Sequence, residues 1–126
     1  MNFVFRAAMS AMSVLVLASL GMQAQAQEAP VTGKEIQDTW VGKTLLGTAA
    51  NGAPVTMVLS ADGTATLSAR STNDSGTWRA VENGYCTTWK TIRAGQERCF
   101  TARRSGSKVT VLNPDGSVSG QFDEIK

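Results

Sequence analysis

From Lys43 onward, turn-forming residues recur at about 8 to 12 positions, and the stretches between them alternate apolar and polar side chains. Alternation with period 2 puts one side of an extended strand on a core and the other in water. Expected strands are 44–49, 54–60, 64–70, 76–81, 85–91, 97–104, 108–112 and 117–125. The punctuation is chemically specific. Asn51-Gly52, Asp62-Gly63, Asn83-Gly84 and Asp115-Gly116 supply the dipeptides that hairpins favour, and 71–75 (STNDS) and 93–96 read as further turns. Connections this short cannot make parallel crossovers, so the sheet is antiparallel and sequential. About eight strands with one apolar face close most simply into a small up-and-down β-barrel, which leaves no exposed edge. A two-sheet sandwich is the alternative. The expected core is Trp40, Leu46, Val55, Met57, Leu59, Leu67, Trp78, Trp89, Phe100, Val109, Val111, Val118 and Phe122. The turns at Asp62-Gly63-Thr64 and Asp115-Gly116-Ser117 look alike, which shared turn chemistry explains without an internal repeat.

One short helix precedes the strands. Thr32-Gly33-Lys34-Glu35 has the form of a capping box, with Thr32 as N-cap, and predicts a helix over 33–40. Ile36 and Trp40 share one face of it. Upstream, 27–31 (QEAPV) reads as a disordered leader, and 1–26 as a secretory signal peptide. Arg6 gives the positive n-region, 7–21 is an apolar run too short to span a bilayer, and Ala24-Gln25-Ala26 is a small-x-small cleavage site. The expected organisation is therefore signal peptide 1–26, leader 27–31 and one barrel domain over 32–126. Its expected location is the periplasm or the medium, after cleavage near Ala26.

Cys86 and Cys99 are the only cysteines. In an exported chain an even count suggests a disulfide, and closing so short a loop stabilises by about 3 kcal/mol. A redox pair is the other reading, but the spacing is not C-x-x-C. Neither cysteine follows the signal peptide closely, so a soluble product rather than a lipid-anchored one is expected. The hairpin register is an open question: a turn centred between Ala94 and Gly95 sets Cys86 opposite Arg103, and a bonded pair then needs a displaced turn or a bulge.

Charge and residue types argue against catalysis. Beyond Arg6 the chain carries 11 Lys and Arg against 10 Asp and Glu, a balance that gives no electrostatic case for nucleic acid. There is no histidine, hence no ordinary catalytic triad and no His ligand for a metal. Asp123 and Glu124 are adjacent and face opposite sides of a strand; Glu82 and Glu97 lie near turns. No cofactor, metal or membrane span is expected, and a hydrolase with an unrecognised carboxylate site stays a distant alternative.

Two constellations suggest binding instead. Lys90, Arg93, Arg98, Arg103, Arg104 and Lys108 fall within 19 positions that hold one acid, Glu97. A hairpin there concentrates charge at one end of the barrel, suited to an acidic envelope protein or an anionic envelope polymer. The bland reading is a solvated hairpin that resists edge pairing. Separately, Trp78, Tyr85, Trp89 and Phe100 line a ligand pocket if the barrel has one, and otherwise are simply its core.

The segments Gly76-Thr77-Trp78, Tyr85-Cys86-Thr87-Thr88-Trp89 and Cys99-Phe100, followed by Asp115-Gly116, resemble a family of small exported bacterial proteins of unknown function with the pattern G-x-W, Y-C-x-x-W, C-F/Y and D-G. The resemblance spans roughly Trp40 to Phe122 and implies an exported domain in which Cys86 is bonded to Cys99; it implies no activity. More loosely, a short Trp-bearing helix before an up-and-down meander is similar to lipocalin-like barrels. Some of these carry small apolar ligands and some inhibit envelope enzymes. The resulting expectation is a non-enzymatic binding or inhibitor-like module of the envelope, with a small apolar-ligand carrier as alternative.

Overall fold

The computed structural model describes residues 28–126. The expected signal peptide, 1–26, lies outside them. The elements run β1 (Ala29–Pro30), α1 (Gly33–Thr39), β2 (Thr44–Ala49), β3 (Pro54–Leu59), β4 (Thr64–Ala69), β5 (Thr72–Val81), β6 (Gly84–Trp89), a 3-10 turn (Ile92–Gly95), β7 (Arg98–Ser105), β8 (Lys108–Leu112) and β9 (Val118–Ile125). From β2 to β9 every strand pairs antiparallel with the next, and β9 returns to pair with β2. The result is a closed eight-stranded up-and-down barrel with one short helix. Closure excludes the sandwich and removes the free edges that a sheet of this size would expose.

β1 adds a short pairing to β7, Ala29 opposite Arg104 and Pro30 opposite Arg103. Residues 29–31 are therefore not the disordered leader expected. Val31 is 1% exposed, and its N–H donates to the Ala102 carbonyl at 2.9 Å. One apolar side chain and the unpaired flank of β7 suffice to order this segment.

Strand directions define two ends. The starts of β2, β4, β6 and β8 lie at the end where α1 packs, here the helix end; the starts of β3, β5, β7 and β9 lie at the far end. Thr32 caps α1, its Oγ1 accepting the Glu35 N–H at 3.1 Å. Glu35 does not supply the reciprocal half of the capping box; its carboxylate pairs with Arg104. Gly33 lies so close to the β5–β6 turn that a Cβ would sit 2.0 Å from the Val81 carbonyl oxygen, and its N–H donates to the Glu82 carbonyl at 3.0 Å. That approach drives Ile36 and Trp40 into the barrel mouth, 0% and 2% exposed. The Trp40 ring meets Tyr85 and Phe122 edge-on, centroids 5.8 and 6.1 Å away, a favoured aromatic geometry. α1 is the stopper of the helix end.

Three expectations about the strands change. β5 starts at Thr72, so residues 72–75 are strand rather than turn. Ser, Asn and Asp favour turns through local hydrogen bonds, but here Ala69–Thr72 closes a tight hairpin, with Arg70 at φ 48°, and the β4 ladder takes up the polar residues. In β2 the buried leucine is Leu45, at 0% exposure, and Leu46 is only half-buried. The bulge beside these residues lies in β9, where Glu124 pairs with Leu46 and Phe122 with Gly47 so that Asp123 is the extra residue; β2 itself keeps its alternation, in the phase that turns Leu45 inward. Val118 is 50% exposed and belongs to no core. β4 keeps its expected phase, with Thr64, Thr66 and Ser68 outside. The two similar turns share one mechanism: Asp62 Oδ1 accepts from Thr64, and Asp115 Oδ1 from Ser117, through backbone and hydroxyl alike.

Candidate site at the open end of the barrel

The far end is not filled. A cavity of about 190 Å³ occupies it. Val55, Met57, Leu67 and Ala69 of β3 and β4 form one wall; Tyr85, Thr87, Trp89 and Phe100 of β6 and β7 form the other, with Val111 and Phe122 closing the side. The space exists because inward positions near the rim are small: Ala49, Ala69 and Gly120. Tyr85 and Phe100 are stacked, centroids 5.4 Å apart, and form the floor beside Trp40. Burial raises the pKa of the Tyr85 hydroxyl, with Arg93 partly opposing the shift.

Of the four aromatics expected around a pocket, Tyr85, Trp89 and Phe100 line this one. Trp78 does not. It sits on β5 towards the helix end, half-buried against the core, and its indole N–H donates to the Ser60 carbonyl at 2.8 Å. Trp78 therefore ties β5 to the β3–β4 turn.

The basic residues do not form one cluster. Arg98 opens β7 at the far end, exposed; Arg103 and Arg104 lie at the other end of the same strand, and Lys108 opens β8 beside them. Five residue steps along the strand separate Arg98 from Arg103, about 17 Å. Arg104 is committed to Glu35. Lys90 is exposed beyond β6, its N–H on the Ser75 carbonyl.

Arg93 is the exception. The β6–β7 ladder pairs Cys86 with Cys99 and Thr87 with Arg98. The turn is thus centred between Ile92 and Arg93, displaced from the expected position. Arg93 and Ala94 both take left-handed backbone conformations, φ 55° and 51°, and Gly95 follows at φ 74°. Each non-glycine residue there costs about 1–2 kcal/mol. The effect is to fold Arg93 back over the barrel mouth. Its guanidinium carbon lies 5.3 Å from the Phe100 ring centroid. Its Nη2 donates to Thr87 Oγ1 at 3.3 Å, and Thr87 is the one buried polar residue among those described. Its Nε is buried with no hydrogen-bond partner. Among the described residues no carboxylate forms an ion pair with Arg93, and none lines the cavity. Burial and the nearby Arg98 charge both lower the Arg93 pKa.

Two devices hold this loop. Asp74 of β5 reaches across: its Oδ2 accepts from the Thr91 N–H (3.0 Å), the Thr91 hydroxyl (2.8 Å) and the Ile92 N–H (2.8 Å). Those donors, the Ile92 N–H foremost, hold the Asp74 carboxyl far below the usual carboxylate range. On the outer face, Cys86 and Cys99 are disulfide-bonded one pair before the ladder ends, with Cα atoms 3.9 Å apart. Arg79, opposite Cys86, forks onto Glu97 with Nε and Nη2 at 3.1 and 2.8 Å from its two oxygens. That hydrogen-bonded pairing lowers the Glu97 pKa. Glu97 lies near both sulfurs, but bonded sulfurs offer no thiolate to a metal.

The remaining carboxylates considered for acid–base chemistry, Glu82, Asp123 and Glu124, are exposed on the outside. What the arrangement can do is accept a small apolar group in the barrel and present one half-buried cation to it. Among the described residues no helix is long and apolar enough to cross a membrane. The disulfide points to a compartment outside the reducing cytoplasm. No family model, curated protein or solved structure matches this chain.

Proposed function

We propose that this protein is an exported, non-enzymatic binding protein that takes a small, largely apolar ligand into the open end of the barrel. The observation that carries the reading is the cavity. Small barrels of eight strands either fill their interior with their own side chains or hold one small ligand. This one does the first at the helix end and leaves about 190 Å³ at the other. An apolar cavity of roughly 150 Å³ is enough to hold benzene, so the space suits a single ring or a short alkyl chain. Export is supported by the sequence of 1–26 and by the disulfide. The reading of the basic segment as a docking patch for an acidic envelope partner has less support, because the strands divide its charges between two ends.

The test is titration with a panel of eight-carbon probes, 1-octanol and octanoate first, followed by Trp fluorescence and calorimetry. At least one probe should bind saturably with one site per chain. Ala69→Phe, which fills the cavity, should abolish binding. Simultaneous charge reversal of Arg98, Arg103 and Arg104 should change affinity less than about threefold, since those side chains lie outside the barrel. Failure of every probe to bind the folded protein overturns the reading. So does binding that survives Ala69→Phe.

A further inference from the structure

Resting on that reading, we infer that the ligand is a small monocarboxylate with an apolar body, and that Arg93 is the residue that recognises its head group. A guanidinium at the mouth of an apolar cavity needs an explanation. Burying a cation without a counter-charge is unfavourable, and leaving a buried N–H unpaired adds a further penalty. Arg93 is half-buried with no ion-pair partner among the described residues, and its buried Nε has no acceptor. It is also placed there by two consecutive non-glycine residues in left-handed backbone. An arginine in this loop has solvent available on its other side, yet the loop is strained, clamped by Asp74 and bonded at its base in a way that turns the side chain inward. Backbone strain that the surrounding structure over-determines is found at ligand clamps.

The head group follows from the donors. The Phe100 ring covers one face of the guanidinium and Thr87 accepts from Nη2, which carries a second hydrogen, while the Nε hydrogen has no acceptor. The same edge of Arg79, Nε with Nη2, is filled by the two oxygens of Glu97. A carboxylate is therefore the group that this chain itself places on that donor pair, and planar two-oxygen anions match an arginine fork. One positive charge asks for one negative charge; a dianion would leave excess charge in the apolar mouth. The tail then lies between Leu67, Ala69, Trp89 and Phe122, in a volume suited to a ring or a short chain.

The experiment compares octanoate, 1-octanol and octylammonium, which share a tail and differ in charge, against the wild-type protein, Arg93→Gln and Arg93→Lys. Octanoate should bind the wild type about tenfold or more tightly than octanol, with octylammonium weakest. Arg93→Gln should bring octanoate down to the level of octanol, with an unchanged circular dichroism spectrum and a cooperative melting curve showing that the variant is folded. Arg93→Lys should keep part of the preference. Equal binding of octanoate and octanol by the wild type overturns the carboxylate inference and leaves the cavity reading standing. An octanoate preference unchanged in Arg93→Gln removes Arg93 as its source. If neither octanoate nor octanol binds, the inference fails together with the reading on which it rests.

Discussion

Asp74 shows how one carboxylate can set the geometry of a site that it does not line. Its Oδ2 collects three donors from Thr91 and Ile92, the two residues before Arg93. Without it, nothing else among the described residues bonds those donors, and the turn that directs Arg93 inward loses its anchor. The pKa of Asp74 is held well below that of a free aspartate, chiefly by the Ile92 N–H. A depressed carboxylate stabilises the fold above its unfolded pKa, near 4, and the benefit fades as pH falls from there through the folded value. Asp74→Asn should therefore lower the melting temperature at pH 7, and the gap from wild type should narrow steadily below about pH 4. Melting curves between pH 2.5 and 7 check this; a gap that widens in acid contradicts the assignment. The variant should also lose part of any octanoate preference, because it loosens the loop that orients the guanidinium.

The β6–β7 hairpin does two jobs with one set of residues. Its inner face supplies Tyr85, Thr87, Trp89 and Phe100 to the cavity, and its outer face carries the disulfide and the Arg79–Glu97 pair. The disulfide stands one pair before the last ladder positions, Thr87 and Arg98, so it limits how far the two strands can splay beneath Arg93. Replacing both cysteines by serine should cost about 3 kcal/mol of stability in the chain-entropy account, measured by denaturant unfolding. It should also speed amide exchange in 88–98 ahead of the rest of the barrel. Uniform acceleration across all strands would mean that the bond stabilises only the whole fold. This hairpin also shows what the sequence can and cannot reveal. Alternation placed Tyr85, Thr87 and Trp89 on one face correctly, because a strand between water and core leaves that imprint. The turn position was not legible. Arg93 and Ala94 adopt a conformation that neither residue type prefers, and the determinants, Asp74 and the Cys86–Cys99 register, lie far away in sequence. For the same reason the six basic residues read as one patch, although strand length carries Arg103, Arg104 and Lys108 to the opposite end. In β2, Leu45 and Leu46 are adjacent and the strand holds no other large apolar side chain, so parity alone did not decide which is inside. Residues 72–75 misled in another way: their local preference for turns is real, but the ladder with β4 overrides it.

At the scale of the whole barrel, stability and binding are assigned to opposite ends. The helix end is packed by Ile36, Trp40, Leu45 and Leu59, all nearly inaccessible, and by aromatic edges on Tyr85 and Phe122. The far end gives up packing: small residues at Ala49, Ala69 and Gly120 leave a void, and voids forfeit the contacts their lining would otherwise make. Substitutions at the two ends should therefore separate. Trp40→Ala deletes a side chain that is 2% exposed and should destabilise by about 3–5 kcal/mol. The fraction that remains folded should bind the eight-carbon probes within about threefold of wild type, since Trp40 does not line the cavity. Ala69→Leu fills part of the void. It should weaken probe binding at least tenfold while stability is unchanged or rises, as cavity filling does where the added methyls fit. Denaturant unfolding and calorimetric titration on the same two variants test the division. If Trp40→Ala impairs binding as much as Ala69→Leu does, the ends are coupled through the Tyr85–Phe100 floor, and the helix would then be part of the site rather than only its stopper.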